Sequence, residues 1–96
     1  MIEPHTTIRQ SPRATFRRLE DGSAVVLHLD TTQYHGVNDV GAVIWELTEP
    51  EPTFEELVAA VRERVDDPPA DLENEVEEFV YALNERGLID VVSPKS

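Results

Sequence analysis

Ninety-six residues are enough for one domain with one core and too few for two. The absence of cysteine excludes disulfides, thiolate metal sites and a cysteine nucleophile, and no apolar run approaches the roughly 18 residues of a membrane span. The net charge of −12 lies wholly in the C-terminal part: four acids and four arginines cancel in residues 1–37, while sixteen acids face four bases in residues 38–96. Nucleic acid needs the opposite sign, so this half reads as a solvated surface or one that favours a basic partner.

Residues 1–13 carry Pro4 and Pro12 and show no period, which predicts an extended N-terminal arm with room for a short strand at Thr7 to Gln10. The arm lacks the apolar stretch of a signal peptide, so a cytoplasmic protein is expected. "ATFRRLEDGSAVVLHLD" then reads as a hairpin. Thr15 to Glu20 is one strand, Asp21-Gly22 the turn and Ala24 to Asp30 the second strand. Val25, Leu27 and Leu29 form a wholly apolar face, while Val26 and His28 lie on a mixed one. The apolar face is the one expected on the core. Thr31-Thr32 makes a second turn, and Gln33 to Val37 a third strand.

Asn38 is placed to cap a first helix carrying Val40, Ile44 and Leu47. Trp45, at the edge of that stripe, is expected as a plug between helix and sheet. Pro50 and Pro52 end the helix. Thr53 and Glu56 form a capping box for a second helix, with Phe54, Leu57, Val58, Val61 and Val65 on one face. After "DDPPAD", a third helix runs from Asp71 to Arg86 with Leu72, Val76, Phe79, Val80 and Leu83 on its stripe. Gly87 suits its left-handed closing residue. Leu88 to Val92 is a candidate strand, and 93–96 a frayed tail. The domain proper is expected over 14–92. Three strands followed by three helices give an α+β fold, a three-stranded antiparallel sheet backed by helices. The last two helices and the strand-like tail give it a winged helix-turn-helix character.

Catalytic constellations are hard to assemble from these residues. His28 and His35 flank a short turn with only Asp30 as a third ligand, which favours an ordinary sheet-surface role over a metal site. The four glycines are scattered, so no phosphate loop exists, and no Ser or Thr sits on a nucleophile elbow. The acids of "DLENEVEEF" read as a solvated face or as the charged rim of a groove. A winged-helix DNA-binding role meets the same acids on its would-be recognition helix, where they repel phosphate. The third strand differs. Between Asp30 and Asp39 it carries no charge and no proline, the usual guards of a sheet edge. An unguarded edge invites strand addition by a peptide.

"LDTTQYHGVNDVGAVIWELTE", "TFEELVAAVRERVD" and "LENEVEEFVYALNERGLI" resemble the PqqD-like family, small peptide-binding domains called RiPP recognition elements. The matching positions are Asp30, Tyr34, Asn38, Gly41, Ile44, Trp45, Thr53, Glu56, Leu57, Phe79, Leu83, Gly87 and Leu88. The resemblance covers roughly residues 15–90. A free-standing chain of this length looks like the leader-binding protein of lasso peptide biosynthesis, and the alternative is PqqD itself, which serves quinone cofactor formation. The resemblance implies a domain without catalysis or cofactor that binds the leader of a ribosomally made precursor as an added strand. A separate cysteine (transglutaminase-like) peptidase, and then a cyclase, would act on the delivered peptide. Gln33, Tyr34, His35, Gly36 and Val37 would pair with the leader backbone. Val76, Phe79, Val80 and Leu83 would line the cleft floor, with Glu75, Glu78 and Ala82 on its rim.

Overall fold

The computed structural model describes residues 2–92. In chain order the elements are β1 (Thr7–Gln10), β2 (Ala14–Arg18), β3 (Ala24–His28), β4 (Tyr34–Val37), α1 (Asp39–Leu47), α2 (Phe54–Arg64), α3 (Leu72–Glu85) and β5 (Ile89–Val92). The tail 93–96, expected to fray, lies outside the described residues. The fold is α+β, with three helices against an antiparallel sheet of order β2-β3-β4.

Local chemistry sets the boundaries. Gly22 turns the β2–β3 hairpin at φ +92°, a conformation that glycine adopts without a Cβ clash. The Asn38 side chain accepts from the Gly41 amide at 2.8 Å and starts α1. Thr53 and Glu56 exchange side-chain and backbone bonds at the start of α2, satisfying amides that the helix leaves unpaired. Gly87, at φ +74°, closes α3.

A second, two-stranded sheet pairs β1 antiparallel with β5, Ile8 opposite Val91. The segment expected as an extended arm is therefore built into the core. Ile8 is fully buried beside Leu88 and Ile89, its amide donates to the Pro52 carbonyl at 2.8 Å, and the Phe54 amide donates to the Thr6 carbonyl at 2.7 Å. The short strand expected at Thr7 to Gln10 forms as β1, and Ile8 within it supplies the apolar anchor.

The core gathers Ile8, Val26, Leu57, Val61, Val76, Val80, Leu83 and Ile89 between the helices and the two sheets. Trp45 is 3% exposed and stacks on Phe16 of β2, ring centroids 5.9 Å apart, as its place on α1 predicts. One expectation reverses. Ala24 and Val26 are the buried side chains of β3, whereas Val25 and Leu27 are only partly covered and Leu29 is 49% exposed. The reason is fit at the helices: Ala24 is small enough to admit Val37 and Ala42 into one cluster, with Phe16 and Phe79 against it. The face bearing Val25 and Leu27 instead pairs with Arg17, Thr15, Gly36 and Tyr34 and looks outward.

Candidate functional site

β4 pairs with β3 on one side only, and no strand lies on its other side among the described residues. Its backbone therefore presents a row of donors and acceptors at the sheet edge. The preceding turn is tight: the Thr32 amide donates to the His28 carbonyl at 2.8 Å, and the His28 amide to the Gln33 carbonyl at 3.0 Å. Gln33 is thus the last turn residue rather than the first of the strand. Along β4 the side chains alternate. Tyr34 (73% exposed) and Gly36 face outward, while His35 and Val37 face the helices.

α3 runs beside this edge in the opposite direction. Its C-terminal end reaches the start of β4, where Arg86 and Leu88 share a shallow recess with His28, Gln33 and His35. Further back along the helix, Phe79 packs toward Val37 at the end of β4. Gly41 of α1 fixes that contact. A Cβ on Gly41 would lie 2.9 Å from the Val37 Cβ and 3.0 Å from the Phe79 Cε2, both shorter than ordinary van der Waals separations. Glycine at this position therefore lets α1, β4 and α3 meet.

The residues expected to line a cleft separate into two sets. Val76, Val80 and Leu83 are fully buried in the core and leave no surface for a ligand, so they are not a cleft floor in this structure. A single apolar stripe on α3 has one core to fill, and these three fill it. Phe79 lies beside that stripe and is half-buried, while Glu75, Glu78 and Ala82 are exposed. The open surface between α3 and β4 consequently offers Phe79 and Ala82, with acids toward the helix N-terminus. Reading the sequence missed Arg86, His28 and Leu88 at the other end. The available signal was Gly87, whose closing role brings Arg86 back toward the sheet.

His35 is partly buried, and that burial, with the Arg86 charge second, lowers its pKa from the ordinary histidine value. Asp30, in the turn, is held by a two-pronged ion pair with Arg13; hydrogen bonding to the guanidinium lowers its pKa. Among the described residues no three His, Cys, Asp or Glu side chains gather as a metal set, and no helix is long and apolar enough to cross a membrane.

These features define a class: a small α+β domain whose three-stranded antiparallel sheet keeps one edge open beside its last helix. The chain belongs to the PqqD family, described as coenzyme PQQ synthesis protein D, whose profile matches residues 23–89. Two solved structures share the fold. One is TbiB1 in complex with the TbiA(beta) leader peptide, at TM-score 0.73 and 29% identity over 85% of this chain and 94% of that one. The other is a lasso peptide synthetase B1 complexed with the leader peptide, at TM-score 0.70 and 19% identity over 86% of this chain and 96% of that one. Among curated proteins, no sequence match reaches significance.

Proposed function

We propose that this protein captures the leader of a ribosomally made precursor peptide, of the lasso type, by adding it as a strand to β4. The observation that carries the reading is the open β4 edge with Phe79 of α3 beside it, in a chain that shares fold and 29% identity with TbiB1, itself solved with a leader peptide. Backbone groups of β4, Tyr34 to Val37, would pair with the leader, whereas Gln33 has its amide on the Thr31 hydroxyl and its carbonyl on the His28 amide. Apolar leader side chains would rest on Phe79 and Ala82, and Glu75 and Glu78 would border them. The domain would do no chemistry itself, without cofactor or metal. In the cytoplasm, it would hand the bound precursor to a separate cysteine (transglutaminase-like) leader peptidase, upstream of a cyclase. Neither nucleic acid nor membrane enters this role.

The energetics suit a reversible carrier. Several strand bonds contribute about 1 kcal/mol each, and two or three buried apolar side chains roughly 1.5–3 kcal/mol apiece. Ordering the leader costs about 2–5 kcal/mol, and association itself costs more. Gains and costs are of similar size, so binding is reversible and depends on the apolar anchors. A second reading, a peptide chaperone for quinone cofactor assembly, is favoured by the family description. Titration of 15N-labelled protein with the leader encoded beside its gene tests the first. Shifts should concentrate on β4 and the Phe79 side of α3. A Kd weaker than about 100 μM, equivalent to only about 5.5 kcal/mol, or shifts confined to α2, would sink it.

A further inference from the structure

We infer that the recess where the end of β3, the start of β4 and the end of α3 converge is an anion subsite, taking a side-chain carboxylate of the bound peptide. The inference rests on the peptide-binding reading and adds a charge requirement and a fixed position to it.

Side chains able to donate hydrogen bonds gather around this shallow recess. His28, Thr31, Gln33, His35 and Arg86 all line it. Arg86 is one of only four bases among sixteen acids in residues 38–96. The described residues form two ion pairs, Arg13 with Asp30 and Arg18 with Glu46, and Arg86 is in neither. Asp30, the carboxylate in the adjoining turn, is already bound by Arg13. The Nδ1 atom of His28 accepts from the Asp30 amide at 3.1 Å. That leaves Nε2 to carry the His28 proton, and Nε2 is the atom that packs against Gly87, next to Arg86. Donor-bearing side chains from three elements thus meet beside Arg86, to which no acid among the described residues is paired.

Strand geometry delivers a side chain to this point. An added strand lies about 4.8 Å from β4, and residues facing each other on one side of a pair have Cβ atoms about 5 Å apart. His35 points to the helix side. The leader residue opposite His35 therefore projects to the same side, toward Arg86. The other end of the groove has the opposite sign, with Glu75 and Glu78 exposed near Phe79. A carboxylate on the added strand is repelled at one end and held at the other, so the subsite selects a register as well as a residue type.

The test is a double-mutant cycle read by fluorescence polarisation, with wild type and Arg86→Gln titrated against the amidated, fluorescein-labelled leader encoded beside the gene. Each leader acid is replaced in turn by its amide. Arg86 is exposed at a helix end, and the amide spectrum of the variant checks that its fold is intact. One acid-to-amide change should weaken wild-type binding about tenfold, as for a lost charge-assisted bond, and change Arg86→Gln binding by less than about twofold. If the leader binds but every acid replacement acts equally on both proteins, or if the leader has no acid in its bound segment, the subsite is wrong while peptide capture stands. Failure of wild type to bind the leader overturns capture and the subsite together.

Discussion

Replacing Phe79 by alanine is the sharpest test of the groove. The ring bridges α3 to the β4–α1 junction, touching the space above Gly41 and packing with Ala24, Val37 and Ala42. A fully buried phenylalanine costs about 3–5 kcal/mol when truncated. Phe79 is only half-buried, so its loss should destabilise the fold by roughly 2 kcal/mol. The part left exposed is what a leader side chain would cover. Burying an apolar side chain stabilises by about 1.5–3 kcal/mol. Removing one wall of its site should forfeit about half of that, or about 0.75–1.5 kcal/mol, which weakens binding roughly four- to twelvefold. Fluorescence polarisation with the labelled leader measures the affinity, and urea denaturation measures the stability. Glu63→Ala, on the exposed face of α2, is the control and should leave affinity unchanged. Phe79→Leu should recover most of the stability and part of the affinity. Equal leader affinities for Phe79→Ala and Glu63→Ala, with both proteins folded, would refute the groove.

Three further outcomes are expected. Gly41→Ala gains about 1 kcal/mol of helix propensity but forces apart Val37 and Phe79, an overpacking cost of about 1–3 kcal/mol; net destabilisation by up to about 2 kcal/mol in urea, with weaker leader binding, is the result, and a stabilised variant would contradict the close approach. Asn38→Ala removes the acceptor of the Gly41 amide and should cost about 1 kcal/mol in the same assay. His35 has a lowered pKa in the folded chain, so its contribution to stability is present above the unfolded histidine value near 6.5 and is lost as pH falls through the lower folded value. Denaturation at stepped pH should show wild type losing stability in that window relative to His35→Asn; identical pH profiles would mean that the imidazole is freely solvated.

Features set by short stretches of chain were legible in the sequence. Gly22, Asn38, the Thr53–Glu56 box and Gly87 act within a few residues of themselves, and each does in the structure what its type suggests. The open edge was legible too, because β2, β3 and β4 join by short turns that leave little choice of order. Period-two alternation on β3 separates two faces but does not say which one meets the helices. Ala24 decided that through its fit with Ala42, a contact between distant segments. The stripe of α3 posed the same problem: Val76 and Phe79 are both apolar and three residues apart, yet one is core and the other half-open. The meeting of Arg86 with His28 and His35 joins three elements and has no local signature.

The pairing of β1 with β5 also governs how the chain is made. Thr7 to Gln10 find their partners only at Ile89 to Val92, so nearly the whole chain must exist before this sheet can close. The hairpin and β4 depend on far shorter loops and can form earlier, since distant pairings bear the larger loop-closure entropy. During synthesis, the β4 edge would therefore be present before Ile8 is locked beside Ile89. A nascent chain in that state exposes both an open strand and an incomplete core, the combination most prone to mispairing with a neighbour.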